Sequence, residues 1–164
     1  MQKRDLSNKL EKVVVNVGIG RLSTQPNFEA KVLPDIIKEL TIITGQKPSS
    51  RPAMKSISGF KLRQGTIVGL KTTLRGKYMD SLVSKIVHVT LPRVRDFRGV
   101  NQSAIDKNGN LNIGLKEHLV FPEISPEHSK VNFGMQFTLV PMTPIKDTKS
   151  AVEFYKKIGV PFKK

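Results

Sequence analysis

Residues 13–20 read VVVNVGIG. From Val13 to Ile19 the stretch is rich in β-branched side chains, and it stops at Gly20, which is the composition of a buried strand. Asn16 breaks the apolar run. A polar amide on such a strand must find a partner or face outward, because burying it unpaired costs free energy.

Working outward from this strand, residues 1–12 are polar and charged and read as a short arm, with residues 13–164 forming one domain. Residues 21–27 read as a loop. From Phe28 to Thr44 the apolar spacing turns helical, with Ile36, Ile37, Leu40 and Ile43 on one face and Gly45 ending the run. Pro34 fits an early helix position or a kink. Residues 45–65 mix Pro, Gly and Ser with basic residues and short extended pieces. Thr66–Arg75 reads as a strand. Met79, Leu82, Val83, Ile86 and Val87 recur at helical spacing, and Pro92 is expected to close that helix. A long loop, 93–110, ends in the turn signal Asn108-Gly109-Asn110. Leu111–Phe121 and Met135–Val140 read as two more strands. A last helix runs from a cap at Asp147 to Ile158, before Gly159 and Pro161. This order predicts an α+β fold, a mainly antiparallel β-sheet with helices packed on one face and long basic loops. The other sheet face then needs polar residues or a partner.

The chain has 164 residues, with 28 Lys and Arg against 13 Asp and Glu, a net charge of +15 and a pI near 10.2. With no cysteine, disulfide scaffolds, Cys-type zinc sites and thiol chemistry are excluded. No run approaches the ~18 apolar residues of a membrane span. The N-terminal MQKRDLSNKLEK carries charge where a signal peptide needs an apolar stretch, so cytoplasmic residence is expected. The charge is also clustered. Between Glu39 and Asp80 there is no carboxylate, while Lys47, Arg51, Lys55, Lys61, Arg63, Lys71, Arg75 and Lys77 all fall there. Arg93, Arg95 and Arg98 form a second cluster, interrupted by Asp96. These clusters lack the amphipathic pattern and aromatic anchors of a membrane-surface helix. They suit nucleic acid, because Lys and Arg displace condensed counterions from phosphates.

Chemistry finds little support. His88, His118 and His128 do not pair at metal spacing and read as structural or exposed histidines. Gly18-Ile19-Gly20 would place Ser23 where a dinucleotide fingerprint needs its third glycine, with no adjacent helix. Gly76-Lys77-Tyr78 fails the Walker pattern, and Ser56 and Ser58 have no neighbouring base. Neither catalytic residues, nor a metal, nor a cofactor is expected. Phe60, in Ser58-Gly59-Phe60-Lys61-Leu62-Arg63, has two readings: an aromatic tucked into the core, or one that stacks on a base or sugar beside phosphate contacts. Phe97 has the same two, with core anchoring favoured.

Several strings together resemble one family: VVVNVGIG (13–20), ITGQKP (43–48), SISGFKLRQG (56–65), LKTTLRG (70–76), LPRVRDFRGV (91–100), GNLNIGLKEHLVFPEI (109–124) and GMQF (134–137). Their order and spacing are similar to the bacterial-type large-subunit ribosomal protein L-five family, from about residue 10 onward. The resemblance implies a structural, non-enzymatic protein of the cytoplasmic ribosome. Such a protein attaches 5S rRNA to the central protuberance, among 23S rRNA and neighbouring large-subunit proteins.

On this chain the family's 5S rRNA contacts would fall on Asn16, Gln46 and Thr73, with Lys47, Arg51, Lys71 and Arg75 supplying phosphate contacts. The resemblance gives the anomalous Asn16 a reason, since its amide can donate and accept toward RNA. The family's loop toward peptidyl-site tRNA would be residues 55–64, with Lys55, Phe60, Lys61 and Arg63. The opposite edge, near residues 117–130, would touch the small-subunit protein S-thirteen in an intersubunit bridge. The segment from Gly20 to Leu40 is longer than the family's and holds Pro34. The rival readings are an extra-ribosomal RNA-binding module, such as an RNA chaperone, and a nucleic-acid-processing enzyme. The latter would need a metal or carboxylate site.

Overall fold

The computed structural model describes residues 9–23, 27–127, 129 and 131–163. His128 and most of the N-terminal arm lie outside these residues. Strands β1 (Leu10–Gly18), β2 (Ser49–Pro52), β3 (Ile67–Leu74), β4 (Leu111–Leu115) and β5 (Met135–Pro141) form one antiparallel sheet in the order β2-β3-β1-β5-β4. Helices α1 (Leu33–Thr44), α2 (Gly76–Lys85), the short α3 (Leu91–Arg93) and α4 (Thr148–Ile158) complete the described fold. The α+β reading with an antiparallel sheet holds.

β1 is central, and its alternation decides which face is core. Val13, Val15 and Val17 are buried, while Asn16 and Gly18 are exposed. The same face takes Leu70 and Leu74 from β3, Leu111, Ile113 and Leu115 from β4, and Met135, Phe137 and Leu139 from β5. The helices supply the opposing layer: Ile36, Leu40 and Ile43 of α1, Met79, Leu82 and Val83 of α2, and Ala151, Tyr155 and Ile158 of α4. Tyr155 also ties α4 down, its hydroxyl donating to Gly109 O at 2.7 Å and Leu139 O at 3.1 Å. Burial pushes the Tyr155 phenol well above its ordinary pKa.

Several boundaries differ from the sequence expectation. β1 starts three residues earlier, at Leu10, which is buried against the core. Pro92 does not close its helix. A π-helical turn, Ile86–Thr90, leads into α3, and the chain stays helical through Pro92 to Arg93. Pro34 sits in the same arrangement, after a π-helical turn at Phe28–Val32. In each case the residue before the proline, Leu33 or Leu91, donates to the carbonyl five residues back, Phe28 or Ile86. A proline lacks its own N–H and crowds the carbonyl four residues back; the wider turn accommodates both defects. The expected strand from Leu111 to Phe121 ends at Leu115, and His118–Val120 form a 3-10 turn instead.

The anticipated signals at helix ends are present. Gly45 (φ 73°) and Gly159 (φ 104°) end α1 and α4 in the left-handed conformation. The Asp147 carboxylate caps α4, accepting from the Ser150 amide at 3.0 Å. In the 106–110 turn, Asp106 Oδ1 accepts from the amides of Asn108 (2.8 Å) and Asn110 (2.9 Å). Burial alone would raise the Asp106 pKa, but the bonds from Asn110, Asn108 and Gly109 outweigh it and hold the carboxyl below its usual range. Gly109 is required there, because its φ is 83° and a Cβ would stand 2.7 Å from Ile145 O.

Candidate nucleic-acid interface

The outward sheet face carries polar residues in register. Asn16 stands opposite Lys71 on one side and Gln136 on the other. Lys71 in turn pairs with Ser49, and Gln136 with Gly114. One row therefore crosses all five strands: Ser49, Lys71, Asn16, Gln136, Gly114. Ser49, Asn16, Gln136 and Gly114 are exposed and Lys71 is half-buried. A second row runs Thr73, Val14, Thr138, Asn112. A third holds Arg51, Gly69 and Gly18, where the two glycines leave the exposed Arg51 without tall neighbours. The three rows carry no carboxylate.

Gln46 and Lys47 are exposed in the turn between α1 and β2. Thr44 shapes that turn, its hydroxyl donating to Leu40 O at 2.7 Å and Gln46 O at 2.9 Å. Arg75, just past β3, lies 3.9 Å from Glu11 Oε1, whose closer partner is Lys12 Nζ at 2.9 Å. A long, exposed pair of that kind is worth about 0–1 kcal/mol, so it leaves the guanidinium available to a stronger anion. Asn16, Arg51, Lys71 and Thr73 thus share one face, and Gln46, Lys47 and Arg75 lie at its margins.

Lys55, Phe60, Lys61 and Arg63 form a separate group on a hairpin between β2 and β3. Ala53 and Thr66 open it with a 2.8 Å amide–carbonyl bond, and Ile57 and Leu62 exchange bonds of 2.9 and 3.1 Å near its tip. The tip is a 3-10 turn, Ser58–Phe60, followed by Lys61 in the left-handed region at φ 51°. Phe60 is 75% exposed, so the core reading of this residue is overturned; Met54, 88% exposed, and Ile57 stand out beside it. Phe97, by contrast, packs against the core, as favoured.

His118 is a satisfied core histidine. It is fully buried, stacked on Phe133 with ring centres 4.0 Å apart, and its Nδ1 accepts from the Phe133 amide at 3.4 Å. Its Nε2 therefore carries the proton, which faces Ser129 Oγ at 2.9 Å and Glu39 Oε2 at 3.1 Å. Burial holds its pKa below the ordinary value; Glu39 opposes that shift only in part. Nearby, Lys85 Nζ meets Glu123 Oε1 at 2.6 Å and Ile43 O at 3.1 Å, pinning the 121–127 loop to α1 and α2. Among the described residues no cluster of three His, Asp or Glu is placed to hold a metal ion. No described helix is long and apolar enough to cross a membrane.

Asn112, Gln136 and Thr138 join the polar face although the sequence reading did not single them out. Their signal was present, since LNIGL and MQFTLVP alternate polar and apolar residues as VVVNV does.

Two family models match the chain: one described as ribosomal protein L5 over residues 7–63, and one as the C-terminus of the same ribosomal protein family over residues 67–162. The chain is similar to three proteins named large ribosomal subunit protein uL5. It is 43% identical to that of Halothermothrix orenii over 167 residues, covering 99% of this chain and 90% of the relative. It is 44% identical to that of Brevibacillus brevis over 156 residues (95% and 83%), and 44% identical to that of Ruminiclostridium cellulolyticum over 154 residues (94% and 82%). Matches of this identity along nearly the whole chain, and two family models that together span residues 7–63 and 67–162, show that the chain belongs to the ribosomal protein L5 family, whose members are structural, non-enzymatic proteins of the large ribosomal subunit.

Proposed function

We propose that this protein binds 5S rRNA through the outward face of its sheet and attaches it to the central protuberance of the large ribosomal subunit. The observation that carries this reading is the row Ser49, Lys71, Asn16, Gln136, Gly114, a polar and cationic strip free of carboxylates. Arg51, Lys71 and Arg75, with Lys47 at the margin, hold phosphates; Asn16, Thr73 and Gln46 set register through hydrogen bonds. The mechanism is positioning, with no bond made or broken.

The hairpin 53–66 serves a second RNA surface, the peptidyl-site tRNA. Its support is the exposed Phe60 between Lys55 and the basic pair Lys61 and Arg63. 23S rRNA and neighbouring central-protuberance proteins complete the surroundings, and the edge near residues 117–130 meets the small-subunit protein S-thirteen. The sheet and helical layer of the described residues support one domain, and Leu10–Lys12, expected in the N-terminal arm, belong to its first strand.

Equilibrium binding to 5S rRNA and to a length-matched structured RNA, at the same salt, tests the reading. A clear preference for 5S rRNA is expected. Equal affinity would instead favour an RNA chaperone outside the ribosome.

A further inference from the structure

The β4–β5 half of the outward face differs in chemistry from the β2–β3 half. It carries no cation in the rows described, but it holds a hydrogen-bonded relay. Asn112 Nδ2 donates to Ala104 O at 3.4 Å. Asn112 Oδ1 accepts from Gln136 Nε2 at 3.1 Å and from Thr138 Oγ1 at 2.8 Å.

The polarity of this relay is set at one end. Ala104 O is a carbonyl and can only accept, so Asn112 must turn its NH2 toward it and its oxygen toward β5. Gln136 and Thr138 must then donate. With one Nε2 proton engaged, Gln136 keeps Oε1 and its second N–H open, an acceptor beside a donor, on an exposed side chain directly beside Asn16. An acceptor oxygen repels phosphate oxygens, which only accept. It pairs with donors, and on RNA the donor that recurs at every residue is the ribose 2′-hydroxyl.

We propose that Gln136 reads a ribose 2′-hydroxyl of the bound RNA, with Asn112 as the positioning residue that orients it. The inference rests on the sheet-face reading given above and divides that face by task. The β2–β3 side holds phosphates, and the β4–β5 side tells RNA from DNA. Sequence alone does not reveal this, because the relay joins Ala104, Asn112, Gln136 and Thr138 across three segments.

The test is a 2′-deoxy substitution scan of 5S rRNA, with binding of the parent and of Gln136→Ala measured at matched salt. In the parent, deoxy substitution at one or a few riboses should weaken binding by about three- to tenfold, the range of one lost hydrogen bond. Gln136→Ala should bind all-ribose 5S rRNA more weakly by a similar factor. It should be insensitive to deoxy substitution at those same riboses. Asn112→Ala, which leaves Gln136 in place but unanchored, should lose a few-fold in affinity with an unchanged salt slope. Thermal melting and circular dichroism confirm that each variant is folded. The proposal is overturned if folded Gln136→Ala shows the parent's affinity, or keeps the parent's deoxy sensitivity at every ribose. A parent that binds 5S rRNA no better than a length-matched RNA removes the underlying reading, and this proposal with it. A selective parent with an indifferent Gln136→Ala overturns the proposal alone.

Discussion

Asn16 on β1 and Lys71 on β3 are cross-strand partners on the outward face of the sheet, a neutral amide beside a cation. On the proposed 5S rRNA reading, such a pair would act on RNA in two separable ways. The ammonium contributes a salt-dependent contact and the amide a salt-independent one, so substitution should distinguish them.

Lys71→Ala should flatten the dependence of log K for 5S rRNA on log salt by about 0.7–0.9, the signature of one lost phosphate contact. Asn16→Ala should leave that slope unchanged and weaken binding by about 1–3 kcal/mol, since the RNA group it served is left unpaired. Filter binding across a salt series reads both. Identical slopes for the two variants would show that Lys71 touches no phosphate.

Phe60 is exposed at the tip of the 53–66 hairpin, so Phe60→Ala should change folding stability by no more than about 0.5 kcal/mol. A buried phenylalanine would cost about 3–5 kcal/mol. Affinity for 5S rRNA should be unaltered, while ribosomes carrying the variant should release peptidyl-site tRNA faster. Thermal melting and a tRNA dissociation assay measure the two halves independently.

Tyr155→Phe should destabilise the fold by about 1–3 kcal/mol. It removes the donor from two buried carbonyls, Gly109 O and Leu139 O, without opening a cavity of any size. Urea denaturation should show a lower midpoint at an unchanged m-value.

His118 makes stability fall in mild acid. Its folded-state pKa lies below the ordinary value of about 6.5, so the unfolded chain takes up a proton first as pH drops. The stability held by neutral His118 is present above about pH 6.5 and is lost as pH falls from there toward the folded-state pKa. Asp106 and Glu123, both held below the ordinary carboxylate range, lose their contributions only near about pH 4 and lower, so the windows separate. Urea midpoints between about pH 7.5 and 5 should decline for the parent and stay flatter for His118→Gln.

Much of this fold was legible because period-two and helical hydrophobic patterns are local. β1, α1, β3, α2 and α4 announce themselves in VVVNV, in the Ile36–Ile43 stripe and in the capping residues Asp147, Gly45 and Gly159. The misses came from non-local causes. Leu111–Phe121 keeps its apolar character past Leu115, but the chain turns there to bury His118 against Phe133, which lies fifteen residues away. Pro92 reads as a stop because a π-helical turn that absorbs it leaves no mark in composition. Asn16 stood out by contrast within an apolar run. Gln136 and Asn112 did not, because two alternating strands look ordinary until register places Gln136 beside Asn16 and Asn112 beside Thr138 in the next row.

The central claim is that 5S rRNA lies on the outward sheet face. Its most direct test compares two folded double variants at one salt concentration, confirmed by thermal melting. Asn16→Ala with Lys71→Ala alters the face; Lys38→Ala with Lys157→Ala removes two exposed charges from α1 and α4, in the helical layer on the other side of the sheet. The face variant should lose more than about tenfold in affinity for 5S rRNA, and the helix-layer variant, despite its larger change in charge, less than about threefold. The reverse order, or equal losses, would contradict the account.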